Sequence, residues 1–212
     1  MIDVSKWVNK HYDGSGHPGI DQYAIKVVTT FIHRLPPKVW EDICNGRPRL
    51  RFYVPKYKNI SDYPGNSMCR GTTNGTYIIK LGARIVGDPT IQGGTPKPHT
   101  PIDEVSLAIV SHEVAHAVLG HDCIIPPGRF VEYDYKEIEA DALAVSWGFK
   151  VREWLEELRH GAAFNLGLER WEGDPVPPVE LNDCSKIIEE EHLEGYQKRI
   201  QALEKLQPEN RP

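Results

Sequence analysis

His112-Glu113-Val114-Ala115-His116 decides how this 212-residue chain is read. In an α-helix, residues four apart share a face, offset by about 40° around the axis and about 6 Å along it. His112 and His116 can therefore aim ring nitrogens at one cation. Glu113 then stands beside that cation without having to bind it. A carboxylate so placed can take a proton from water that the cation acidifies. Two histidines and a glutamate in this order point to zinc-dependent peptide hydrolysis.

The flanking sequence supports a helix. Thr100-Pro101-Ile102-Asp103 reads as a start, with Thr100 as N-cap, Pro101 at the first helical position and Asp103 in a capping-box-like exchange. Gly120 reads as the stop. Val105, Ala108, Ile109, His112, His116 and Leu119 recur at three- and four-residue steps, which predicts a helix over 101–119 with the histidines on its buried or cleft-facing stripe.

A catalytic zinc ion wants three protein ligands and one open position. The third candidate lies in Glu137-Ile138-Glu139-Ala140-Asp141-Ala142-Leu143-Ala144, on a helix entered through Asp134. Glu137 and Asp141 share a face, so Glu137 can reach the cation while Asp141 accepts the second N–H of a ligating histidine and fixes its tautomer. Glu139 points elsewhere and reads as a solvated carboxylate. Asp122, ten residues after His112, is the alternative metal ligand, at the spacing used where the chain turns back sharply after the helix. That turn wants a glycine seven residues after the first histidine, and here Leu119 holds that position with Gly120 one residue late, which favours Glu137. His121 reads as a C-terminal histidine interacting with the helix dipole.

HEVAHAVLGH over 112–121 followed by EIEADALA over 137–144 resembles the zinc-site signature of the ImmA/IrrE family of small gluzincin-type metallopeptidases, across roughly residues 75–150. The resemblance implies His112, His116 and Glu137 as ligands of one catalytic Zn2+, Glu113 as the catalytic carboxylate and Asp141 as a support for a ligand. Family members often carry asparagine at the position of Asp141. The expected fold class is α+β: a minimal zincin-like domain whose small, mainly antiparallel sheet packs on the active-site helix and a glutamate helix, with a helical C-terminal extension.

The expected activity is direct hydrolysis of a peptide bond in an intracellular protein substrate, with Glu113 moving the proton from water to the leaving amine. Tyr133 and Tyr135, just before Glu137, are candidate catalytic donors to the oxyanion, as are Tyr77 and His99, though each reads more readily as a structural residue than as a catalytic one. The alternative is a catalytically idle zinc-binding module that regulates a protein partner by occupancy. An intact Glu113 favours the enzyme, because a purely structural site fills all four positions with protein ligands.

Composition narrows the partners. The net charge is −5, with no basic tract beyond Arg47-Pro48-Arg49-Leu50-Arg51, which reads as a solvated strand edge. Phosphate binding needs clustered Lys and Arg, so no nucleic-acid partner is expected. No apolar stretch approaches the roughly 20 residues that cross a bilayer, so no membrane association is expected. The start, Met1-Ile2-Asp3-Val4-Ser5-Lys6, lacks the features of a secretory signal, which makes the cytoplasm the expected compartment. Cys44, Cys69, Cys123 and Cys184 contain no C-x-x-C pair and read as free, buried thiols. Oligomeric state is not legible.

Period and punctuation give the organisation. Apolar residues at helical steps over 20–33 predict a helix, ended by Pro36-Pro37 before a short helix through Val39-Trp40 to Cys44. Residues 50–54 and 76–81 read as strands, the second as a sheet edge bordering the cleft or, equally, as a strand paired on both sides. Residues 57–75 and 86–99 read as loops. A break at Ser146-Trp147-Gly148-Phe149 precedes another helix over 151–158. Residues 172–178 read as a linker, and 185–206 as a charged helix with an apolar stripe through Ile187-Ile188, Leu193, Tyr196, Ile200, Leu203 and Leu206. One metallopeptidase domain over 1–170, with a linker and C-terminal helix over 171–212, is the expected division.

Overall fold

The structure is a computed structural model that describes residues 2–16, 18–54, 68–72, 74–82, 102–121, 130–168 and 183–206; the backbone alone is placed for 68, 130–134 and 183–184. Helix α1 (Val4–His11) leads through a two-residue strand β1 (Tyr12–Asp13) to α2 (Pro18–Arg34) and α3 (Pro37–Cys44). Three further strands follow, β2 (Arg49–Tyr53), β3 (Met68–Gly71) and β4 (Thr76–Lys80). Four helices complete the described chain: α4 (Glu104–Leu119), α5 (Phe130–Ser146), α6 (Val151–Asn165) and α7 (Asp183–Leu206). The α+β class and the helical C-terminal end are as expected. Residue 170, where a boundary is expected, and the linker over 172–178 lie outside the described residues.

The sheet order is β1-β2-β4-β3. Among the described residues only β3 and β4 pair antiparallel; β1 with β2 and β2 with β4 run parallel, so the sheet is mixed where a mainly antiparallel one is expected. The reason is connectivity. Helices α2 and α3 carry the chain from β1 back to the start of β2, the crossover that a parallel pair requires, whereas β3 and β4 are joined by a tight turn in which Gly75 takes the left-handed conformation (φ 74°). In β2 the side chains alternate, with Leu50 and Phe52 buried and Arg49 and Arg51 exposed. The arginines thus lie on the solvated face of an inner strand, not on a strand edge.

Strand β4 has a neighbour on each side, so the edge beside the metal helix is β3. That strand falls within the stretch that reads as loop. Its four residues, Met68-Cys69-Arg70-Gly71, are too few to show an alternation, and pairing with β4 defines them.

Helix α4 starts at Glu104, and the Asp103 side chain accepts the Ser106 N–H at 2.5 Å. Asp103 is therefore the N-cap, in place of the expected Thr100, which lies outside the described residues with Pro101. Every residue from Val105 to Ala117 is buried, so α4 has no solvated face within that span, and Leu119, expected on the buried stripe, is exposed. Strands β3 and β4 cover one side of α4, and α2, α5 and α6 cover the others. Buried all round, it is the central element of the core.

Helix α5 begins at Phe130, so Asp134 lies inside its first turns and is not its N-cap. The break after Ser146 is the expected one, with Gly148 in the left-handed conformation (φ 87°) and its N–H donated to the Val145 carbonyl. Helix α7 packs along α6 and α5 and sends Ile200 and Leu203 into the shared core, while Ile187, Ile188 and Leu206 of the expected stripe stay exposed. Among the described residues no helix is long and apolar enough to cross a membrane.

Candidate metal centre

Helices α4 and α5 lie side by side, and three buried side chains converge between them: His112, His116 and Glu137. The two histidine Nε2 atoms stand 3.0 Å apart. Glu137 Oε2 is 3.2 Å from His112 Nε2, and its Oε1 is 3.2 Å from His116 Nε2. A tetrahedral zinc ion with bonds of about 2.0–2.2 Å separates its ligand atoms by about 3.3 Å. The three donors thus form a triangle of the size that one face of such a tetrahedron requires, and two imidazoles with a carboxylate suit that ion. The expected alternative ligand, Asp122, lies outside the described residues.

Each histidine has its second nitrogen engaged. His112 Nδ1–H donates to Asp141 Oδ1 at 2.8 Å, the contact that the expected role of Asp141 would need. Asp141 is fully buried, and its charge is met by a residue that the sequence reading does not single out. Arg199 of α7 donates from Nε to Asp141 Oδ2 at 2.7 Å and from Nη2 to Oδ1 at 2.8 Å, and its Nη1 lies 3.0 Å from Glu137 Oε2. Trp154 of α6 completes this corner, with its ring edge-on to His112 and the Arg199 guanidinium 5.4 Å above it. A signal for Arg199 exists in the sequence. It stands three residues after Tyr196 and four before Leu203, so an arginine interrupts the apolar stripe of α7, and a buried arginine implies a buried carboxylate.

His116 is supported differently. Gly120 takes the left-handed conformation (φ 71°), and the turn brings the His121 N–H back to the His116 carbonyl at 2.9 Å. The same turn sets His121 Nδ1 3.0 Å from His116 Nδ1, and His121 Nε2 lies 3.1 Å from Glu139 Oε2. Glu139 is thus a hydrogen-bonded neighbour of the site and not the free surface carboxylate expected. His121 lies on the Nδ1 side of His116, opposite the three converging donors.

Glu113 is buried, and its carboxylate accepts the backbone N–H of Cys69 in β3. Burial pushes its carboxyl up to about 7, against the pull of His112, with Glu137 raising it further. The residue expected to act as base therefore lies between the edge strand and the three donors.

The remaining expected site residues fall elsewhere. Tyr135 is 64 % exposed and its hydroxyl bonds Glu139, at the outer end of the chain that leads to His116. The Tyr133 side chain and His99 lie outside the described residues. Tyr77 packs against the core, its hydroxyl 3.7 Å from where a Cβ on Gly120 would stand. Neither Cys44 nor Cys69 is in a disulfide among the described residues; Cys69 is buried as expected, whereas Cys44 is half-buried, and Cys123 and the Cys184 side chain lie outside the described residues.

The charges have a measurable consequence. Burial opposes an imidazolium at His112, but Asp141 and Glu137 outweigh it and push its pKa up to about 10 from an ordinary 6.5. The proton so held stabilises the metal-free fold fully below pH 6.5, and that contribution is lost as pH rises through about 10. A cation at Nε2 must displace this proton. A zinc titration in weak buffer at pH 7.5 should release about one proton per ion, with affinity rising as pH rises. Binding without proton release would contradict this reading of His112.

No protein-family model matches the chain, and neither the curated proteins nor the solved structures compared with it give a match.

Proposed function

We propose that the chain is a zinc-dependent peptidase that hydrolyses a peptide bond in an intracellular protein substrate. The observation that carries the proposal is the triangle of three buried donors with a further buried carboxylate, Glu113, near it. A site meant only to hold zinc closes with four protein ligands, whereas among the described residues this one brings three, with a potential base close by. The likeness of its two motifs to those of the ImmA/IrrE peptidases supports the same reading, including the intracellular setting.

A divalent ion held by His112, His116 and Glu137 would supply the Lewis acidity that polarises a carbonyl and acidifies water. The chain's own residues do the rest. Glu113 takes the proton from the attacking water and returns it to the leaving amine. Asp141 and Arg199 hold His112 and Glu137 in place. Strand β3 is at the sheet edge and touches Glu113 through Cys69, so a peptide laid along that edge would bring its backbone to the base.

The test is metal-dependent cleavage. The full chain loaded with one equivalent of zinc, incubated with a peptide pool, should generate new N-termini detectable by mass spectrometry. A chelator should stop it and added zinc restore it. Zinc-loaded protein that cleaves nothing across a broad pool would leave the idle regulatory module as the better reading.

A further inference from the structure

We propose that His121 and Glu139 are positioning residues of the metal centre, a hydrogen-bonded relay that fixes the proton and the ring orientation of His116. The proposal deepens the metal-site reading and rests on it.

His116 faces the other two donors through Nε2, so a cation bound there requires its proton on Nδ1. That Nδ1–H is buried, and its close partner among the described residues is His121 Nδ1, at 3.0 Å. Two N–H groups cannot face each other, so His121 Nδ1 must be the acceptor and His121 must carry its proton on Nε2. Nε2 in turn is 3.1 Å from Glu139 Oε2, which accepts it. Every role along the chain from cation to carboxylate is then determined, and all of them run in one direction. Carboxylate–histidine pairs of this kind set the tautomer and basicity of metal ligands. Here a second imidazole is interposed.

The fold has built this placement. The left-handed turn at Gly120 is what returns His121 to His116, one residue beyond the end of α4. Glu139 stands two residues after Glu137, on a different face of α5, so one helix supplies both a donor to the cation and the anchor for its neighbour. Tyr135, one turn earlier, donates to Glu139 and steadies it. The two histidines are thus held by unlike devices: His112 by a fully buried Asp141 paired with arginine, His116 by a neutral imidazole leading to a carboxylate 37 % exposed.

The test separates hydrogen bonding from space filling. Zinc affinity of the full chain is measured by chelator competition for wild type, His121→Leu and His121→Asn. Leucine fills the space but accepts nothing, whereas the amide oxygen of asparagine falls near the position of Nδ1. His121→Leu should weaken zinc binding about 10- to 100-fold, and His121→Asn should stay within about threefold of wild type. On the zinc-loaded wild type, histidine 15N NMR should show His121 protonated at Nε2. A leucine variant within about threefold of wild type, an asparagine variant as weak as the leucine one, or His121 protonated at Nδ1 would each overturn the relay. The NMR result decides even where His121→Leu does not fold. A wild type that binds no zinc would instead sink the metal-site reading itself, before any variant is made.

Discussion

Glu113→Gln should cut peptide hydrolysis about 100- to 10,000-fold while zinc stays bound at the wild-type stoichiometry, the span expected when a general base is lost. Retention of metal follows from geometry. Glu113 is not one of the three converging donors, and a glutamine of the same shape can still accept the Cys69 N–H. Stability should move the other way. Burial raises the Glu113 carboxyl to about 7, so its ionised form is disfavoured in the fold, and the cost grows as pH rises above the ordinary 4.5. Metal-free Glu113→Gln should therefore be at least as stable as wild type at pH 8 by urea denaturation. A variant that is inactive and more stable is the signature of a residue kept for chemistry. Wild-type turnover in Glu113→Gln would remove the base from the mechanism, and loss of zinc would make Glu113 a ligand.

Arg199→Leu should destabilise the protein by about 3–5 kcal/mol, the usual cost of removing one partner from a buried ion pair. Asp141 has no exposure to water, and Arg199 makes two of its hydrogen bonds and neutralises its charge. Leucine would replace the packing of the side-chain stem but leave Asp141 with His112 as its remaining partner among the described residues, and would take from Glu137 its contact with Nη1. The loss should be partly recovered in Arg199→Leu with Asp141→Asn, because the orphaned charge goes with the second substitution. Denaturant midpoints for the two single variants and the double variant measure that coupling. Strict additivity would mean that the guanidinium and the carboxylate do not act as a pair. Because Arg199 comes from α7, the same experiment reports how far the C-terminal helix holds the metal centre together.

Most of the site is legible in sequence because it is local. His112 and His116 are one turn apart on α4, and Glu137 and Asp141 are one turn apart on α5, so helical spacing alone assigns the shared faces. What escapes is set by contacts between distant segments. Arg199 lies 58 residues from Asp141, and nothing in its neighbourhood names the partner. Strand β3 exists through β4, and a run of four residues carries no period. Glu139 is correctly placed by spacing on a different face from Glu137, but only the turn at Gly120 brings His121 round to meet it. The start of α4 is misread because Thr100 and Asp103 are both good caps, and the choice between them lies with the backbone. Its stripe is misread because a helix covered on all sides has no polar face for periodicity to detect.

The most direct measurement is the metal content of the purified chain beside that of His116→Ala. Wild type should hold one zinc per chain after dialysis against metal-free buffer. His116→Ala, with one donor of three removed and Nε2 of His112 left facing Glu137 alone, should hold much less than one under the same treatment while keeping its helical circular dichroism. Full occupancy in His116→Ala would mean that the ion sits elsewhere and that the convergence of His112, His116 and Glu137 is not a metal site.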